Sequence, residues 1–139
     1  MTKHQSPPLE LISYEVVKFS YKTNLKYNIK SKRGELESTI ISSISVEDPF
    51  VQRVDLEIKT LPRGMYQYKF AMHISGVFKV SGDITDENER NAIVARNGAS
   101  ILYSTAREYI FMATCHGIHG SMFLPTVSFL NLQPEKIAN

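Results

Sequence analysis

The chain is poor in the residues that announce chemistry. Its 139 residues include no tryptophan and a single cysteine, Cys115. One thiol excludes an internal disulfide and a cysteine-rich zinc site, and it makes a reducing cytoplasm the simplest setting. No apolar run approaches the ~20 residues that a membrane helix needs, so membrane insertion is not expected. The opening segment MTKHQSPPLE has no apolar stretch behind Lys3, which argues against a secretory signal. Charge of one sign is also scarce. A net charge of +2 is too small to imply a nucleic-acid partner. The one basic run, KYNIKSKR from Lys26 to Arg33, reads as a solvated loop or hairpin rather than a phosphate contact.

What is present is a core in the making. The apolar fraction is 42%, which excludes global disorder. Seven tyrosines and seven phenylalanines require a core, an interface or a binding surface. The length fits one domain, expected over residues 9–132 behind a disordered leader (1–8, ending in Pro7-Pro8) and before a short tail (133–139).

The periodicity changes once along the chain. From Leu9 to Lys22 the apolar residues alternate in three pieces: Leu9 and Leu11, then Ile12, Tyr14 and Val16, then Val17, Phe19 and Tyr21. Two register switches predict one long strand with bulges. Glu35 to Asp48 places Leu36, Ile40, Ile44 and Val46 on one face, shared with Ser38 and Ser42. Phe50 to Thr60 alternates most cleanly, with Phe50, Val54, Leu56 and Ile58 against Arg53, Asp55, Glu57 and Lys59. That pattern predicts an antiparallel strand with one wet face. Leu61 to Gly64 reads as a turn. Met65 to Gly82 alternates again through Tyr66, Tyr68, Phe70, Met72 and Ile74, and Gly76 is expected to mark a bulge.

After Gly82 the period is helical. Asp83 or Thr85 is the expected cap, with Asp86, Glu87 and Glu89 at the positive end. Between there and Cys115 stands no proline and one glycine, Gly98, so one long helix is predicted. At 100° per residue its main apolar arc holds Ile101, Leu102, Thr105, Ala106, Tyr109, Ile110, Met112 and Ala113. A second direction holds Ile93, Ser100, Ser104, Arg107 and Phe111, which fits contact with another subunit. Four strands followed by a helix make an α+β fold with an antiparallel sheet. The tail from Gly117 is broken by Gly120, Pro125 and Pro134, yet carries Met122, Phe123, Leu124, Val127, Phe129, Leu130 and Leu132. An apolar, irregular segment must pack in a groove or help to form one.

The sites available for catalysis are few. Cys115, His116 and His119 match no zinc spacing. The histidines read as the polar end of a helix stopped by Gly117, and Cys115 as a small buried hydrophobe. Arg107-Glu108 reads as a surface or interface ion pair. SGVFKVSG has two glycines at the wrong spacing for a phosphate loop. Neither enzymatic activity nor a cofactor is expected.

Three segments resemble the SecB-type export chaperones. YKFAMHISGVFKVSG is similar to that family's fourth strand with its GxF segment. ASILYSTAREYIFMATCHG is similar to its main helix, whose pattern N-I-L-F-P-Y-A-R-E is matched by Ile101, Leu102, Tyr103, Ala106, Arg107 and Glu108, with Gly117 at its end. FLPTVSF, Phe123 to Phe129, is similar to the L-x-P-V-x-F segment beyond that helix. ISYEVVKFSY fits the first strand more loosely. The resemblance implies a four-stranded antiparallel sheet, a long helix, and a homodimer or homotetramer joined through the helices. It also implies an ATP-independent holdase for unfolded polypeptides, with Met122, Phe123, Leu124, Val127 and Phe129 lining a client groove. The family's partner is the export motor SecA, and some SecB-like proteins serve instead as chaperones of an antitoxin. This chain departs from the pattern in three ways. Thr105 stands at the helix proline, LNLQPEKIAN leaves a short or missing second helix, and the charge is slightly basic where the family is acidic.

Overall fold

The computed structural model describes residues 7–30, 36–44, 47–61, 66–126 and 135–136. Four antiparallel strands form the sheet: β1 (Leu9–Thr23), β2 (Leu36–Ile44), β3 (Val51–Thr60) and β4 (Tyr68–Val80). Their spatial order is β1-β4-β3-β2, and a two-residue strand, β5 (Glu135–Lys136), adds in parallel to the far edge of β2. The turn expected over Leu61 to Gly64 falls mostly outside the described residues, as do residues 1–6. Pro8, placed in the leader by sequence, accepts a bond from the Ser81 amide at 3.1 Å.

The strand patterns translate directly into faces. Val54, Leu56 and Ile58 of β3 are fully buried, while Arg53, Glu57 and Lys59 are exposed. In β4 the even residues from Tyr68 to Val80 form the buried face. β1 shifts register against β4 between Leu11 and Ser13 and again between Val16 and Lys18. These are the two places where its alternation switches, with Ile12 and Val17 as the extra residues. Gly76 does not mark a bulge, because the β3–β4 register runs through it without a break.

The helical segment is not one continuous helix. α1 (Glu87–Ile93) leads through a π-helical turn (Val94–Gly98) into α2 (Ala99–Ala113). Neither Asp83 nor Thr85 caps α1. Asp86 does, accepting from the Asn88 amide at 3.2 Å. Arg90 holds the same end by donating to the Thr85 carbonyl at 2.8 Å and lying 4.7 Å over the Phe50 ring. The π turn lets the helix settle onto the sheet. A Cβ on Gly98 would stand 3.3 Å from Phe78 and Val54, and one on Gly76 would meet Leu102 at 2.8 Å and Phe78 at 3.0 Å. Both glycines thus mark close approach between layers rather than a cap or a bulge. A turn closed i→i+5 advances each residue by less than 100°. Directions counted at constant spacing therefore drift across it, and Ile93 is not aligned with Phe111 as the sequence count has it.

The core lies between this helix and one face of the sheet. Ala99, Leu102, Tyr103, Ala106 and Ile110 pack on the buried residues of β3 and β4. The polar Gln52, 2% exposed, is satisfied by the Asn91 side chain at 3.1 Å. The opposite sheet face is wet. On it Asp55 accepts from Arg53 Nε at 3.1 Å and lies 2.7 Å from His73 Nε2.

Two outcomes test this packing. Gly76→Val should lower stability to urea by about 1–3 kcal/mol, since the added atoms displace a buried Leu102. Burial raises the pKa of the Asp55 carboxyl, but the bonds and charges of His73 and Arg53 outweigh it, leaving it below the ordinary 3.8. A depressed carboxylate stabilises the fold above its unfolded pKa, and that stability is lost as pH falls through the folded value. Asp55→Asn should therefore lower the urea midpoint at neutral pH, and the difference from wild type should shrink as the pH is taken below about 4.

Candidate functional site

At the far end of α2 the chain makes three tight connections that build a rigid, irregular surface. α2 stops at Ala113 with Thr114 as its cap, the Thr114 amide still bonding back to the Ile110 carbonyl at 3.0 Å. The buried Thr114 hydroxyl donates to the Ile110 carbonyl at 2.7 Å and accepts from the Met122 amide at 2.9 Å. It thereby ties the returning loop to the helix. Between these anchors, Gly117 and Gly120 close successive turns.

Tyr68 governs that loop. Its ring is fully buried, and its hydroxyl accepts from the His119 amide at 3.0 Å while donating to the Gly120 carbonyl at 2.8 Å. A Cβ on Gly117 would overlap the Tyr68 hydroxyl. Gly120 has φ +73°, a left-handed conformation that glycine adopts freely. Gly117 therefore does not end the helix, whose cap stands three residues earlier. It lets the loop lie against the tyrosine.

The loop after β1 is fastened to the same place. Asn24 is buried, donates through Nδ2 to the Tyr66 carbonyl at 2.9 Å, and offers its own carbonyl to the Tyr27 amide at 3.1 Å. The same carbonyl lies 3.1 Å from His119 Nε2. Accepting there requires the tautomer with hydrogen on Nε2. The His119 ring also packs 5.0 Å from Tyr27, and Gln67 donates to the His119 carbonyl at 2.9 Å. His119 is thus a clasp between two loops rather than a helix-end cation. His116 and Cys115 are exposed in the turn after the helix, so Cys115 is not the buried hydrophobe its surroundings in sequence imply. Among the described residues no three His, Cys, Asp or Glu side chains gather to hold a metal.

The clasped loops present an apolar rim. Leu25 is 90% exposed, Ile29 87%, Ile118 79%, Met112 63% and Phe123 61%. Phe123 packs edge-on to Phe111 at 4.7 Å. Along the flank of α2 the rim continues through Tyr109, half exposed and edge-on to Phe19 at 5.3 Å, and through Tyr21, whose hydroxyl donates to the Ala113 carbonyl.

The residues expected to line a groove divide. Phe123 is on this surface. Met122 and Leu124 point the other way and are 0% and 2% exposed within the domain's own core. The strand-like alternation of Met122-Phe123-Leu124 separates them, and the Thr114–Met122 bond fixes which way each points. Val127 and Phe129 lie outside the described residues. Of the five residues expected at a subunit contact, Ser100 and Ser104 are exposed and Ile93, Arg107 and Phe111 half-buried. The Ser100 hydroxyl is turned back onto the Arg96 carbonyl at 2.9 Å. Leu25, Ile29 and Ile118 escaped the sequence reading altogether. Each is a lone apolar residue among polar neighbours, and single exposed apolar residues are ordinary. Only the clasp brings them to one end of the molecule.

Solved structures that share this architecture include the following two. A SecB-like chaperone of Mycobacterium tuberculosis, determined with a peptide from the HigA1 antitoxin, superposes with a TM-score of 0.60 at 14% identity, over 87% of this chain and 91% of that one. The chain has a SecB-like fold. A protein of unknown function from Streptococcus agalactiae superposes with a TM-score of 0.52 at 14% identity, over 85% of this chain and 97% of that one. No family model and no curated protein sequence matches the chain. At this identity the shared feature is the fold: four antiparallel strands, then one helical segment. Among the described residues the segment after α2 contributes a strand pairing, β5 on β2, and no second helix.

The clasp has measurable consequences. His119→Ala should lower stability by about 1 kcal/mol and raise amide exchange at Tyr27, whose carbonyl partner loses a companion bond. Gly117→Ala should cost about 1–3 kcal/mol through overlap with Tyr68. If both variants melt and exchange like wild type, the two loops are not held together in this way.

Proposed function

We propose that the chain is a SecB-like holdase that binds unfolded polypeptide at the apolar rim, in the cytoplasm and without chemistry. The observation that carries this reading is the rim itself: large apolar side chains, mostly more than half exposed, mounted on hydrogen-bonded loops. Rigid mounting lowers the ordering cost of binding. Mixed leucine, isoleucine, methionine and phenylalanine side chains accept many sequences, because soft apolar contact tolerates variation. An unfolded chain offers several such contacts, so weak sites multiply through effective concentration. A bound segment is withdrawn from both folding and aggregation. Val127 and Phe129, which follow Phe123 and Pro125 in sequence, belong to this proposal as further groove residues.

The SecB-like fold of the mycobacterial chaperone and its bound peptide support a peptide-holding role. They also favour a second reading, in which the chain serves one dedicated partner such as an antitoxin rather than many clients or preproteins destined for SecA. Assembly as a homodimer or homotetramer belongs to the same proposal. The outer side of α2 carries Ile101, Ser104, Thr105, Phe111 and Met112 with only Arg107 and Glu108 charged, a composition that suits a subunit contact.

Light scattering of a chemically unfolded client tests the proposal. Wild-type protein at a several-fold excess should suppress aggregation. Leu25→Ser combined with Ile118→Ser and Phe123→Ser should abolish most of that suppression while leaving the melting temperature nearly unchanged, because all three side chains face water. Equal suppression by the triple variant would remove the rim from client binding. Binding of one member of a client panel far above all others would favour the dedicated-partner reading.

A further inference from the structure

We propose that the wet face of the sheet carries a docking site for an acidic polypeptide segment, centred on Lys22 and Lys69. The apolar rim and its proposed role have no part in the argument. Lys22 of β1 and Lys69 of β4 stand directly opposite each other in the ladder. Like charges facing across strands destabilise a sheet, and among the described residues no carboxylate pairs with either. The ion pairs among the described residues are Arg53–Asp55, His73–Asp55 and Lys59–Glu37, and none includes Lys18, Lys22 or Lys69.

The surroundings form a receptacle. Ser20 pairs with Ala71, and Ala71 with Lys59, so small side chains lie between the lysines. Two shallow depressions of about 390 and 220 Å³ meet over Ala71. Lys22 and Lys69 line the larger, Lys18 and Lys59 the smaller, and among the described residues Glu57 is the only acidic one on either lining. Lys18 and Lys22 lie on one strand and one face, about 13 Å apart at the ordinary strand rise. The lysine spacing of four continues beyond the strand as Lys26 and Lys30, both exposed, and no acidic residue occurs between Lys18 and Lys30.

The chemistry of this face favours a carboxylate-rich peptide over nucleic acid. By register its side chains include no phenylalanine or tyrosine, so bases would find nothing to stack on. Glu57, and Glu37 beside Lys59, would repel a continuous phosphodiester backbone, whereas spaced side-chain carboxylates can reach Lys18, Lys22 and Lys69 and avoid Glu57, which the register sets beyond His73 from Lys18. Exposed charge pairs of this kind give an affinity that is modest and strongly reduced by salt.

Fluorescence anisotropy tests the assignment with a labelled peptide of glutamates spaced by glycine and serine, its glutamine counterpart, and a single-stranded oligonucleotide of equal charge. The full chain should bind the glutamate peptide, at least about tenfold more tightly than the glutamine one, and should weaken as salt rises from roughly 50 to 200 mM. Lys22→Glu with Lys69→Glu should abolish binding. Lys79→Glu, the same charge change at the other end of the face, should leave it within about twofold. Lys69→Gln should weaken binding without lowering the melting temperature, because it relieves the repulsion from Lys22. Binding that survives the double variant, falls equally with Lys79→Glu, or fails to distinguish glutamate from glutamine overturns the proposal. Tighter binding of the oligonucleotide than of the peptide overturns it as well.

Discussion

The Tyr68 hydroxyl is the contact on which the clasped end of the molecule depends. It sits at the start of β4, inside the core, and makes two bonds to the loop that leaves the helix. Because the ring is buried in the core, its hydroxyl sets the positions of His119 and Gly120, and Gly117 must be glycine to pass it. His119 in turn holds the Asn24 carbonyl, so the loop after β1 is placed by the same tyrosine at one remove. Two irregular segments, joined by residues 95 apart in the chain, thereby become one surface. Polar bonds of this kind add little net stability each, but left unmade in the core they would be costly, and this gives the loops a single arrangement.

That arrangement explains why an apolar rim persists in water. Exposed leucine and isoleucine would normally fold inward if the backbone let them. Here the backbone of residues 24–27 and 117–122 is committed to the clasp, and the space beneath it is filled by Tyr68, Met122 and Leu124. The opposite sheet face has different chemistry, with charged side chains on a regular ladder and no phenylalanine or tyrosine among them by register, its apolar members being Ile41, Val51, Val77 and the bulge residues of β1. Under the two proposals, apolar capture and electrostatic contact would fall on different surfaces.

Much of the sheet was legible in the sequence because burial on one face imposes a period of two. The switches at Ile12 and Val17 even marked both bulges, since a strand can change its buried set only by adding a residue. The helix was legible in place and length but not in continuity. Nothing in VARNG distinguishes a π turn from an α turn except Gly98, and its reason, the approach of Phe78 and Val54, is a tertiary fact. Glycines were misread for the same cause: Gly76 and Gly117 serve contacts with residues far along the chain, not local turns. Of the groove residues, Phe123 reached the surface while Met122 and Leu124 went to the core, because an apolar run does not say which of its members alternate outward. The histidine clasp was hidden as well, for His119 gains its meaning only from Asn24 and Tyr68.

Hydrogen exchange of the chain, free and bound to an unfolded client, tests the central claim most directly. The account predicts new protection confined to residues 24–30 and 112–123, with the exposed strand edges and the lysines around Ala71 unchanged. Protection appearing on the wet sheet face while both rim loops exchange as in the free protein would contradict it.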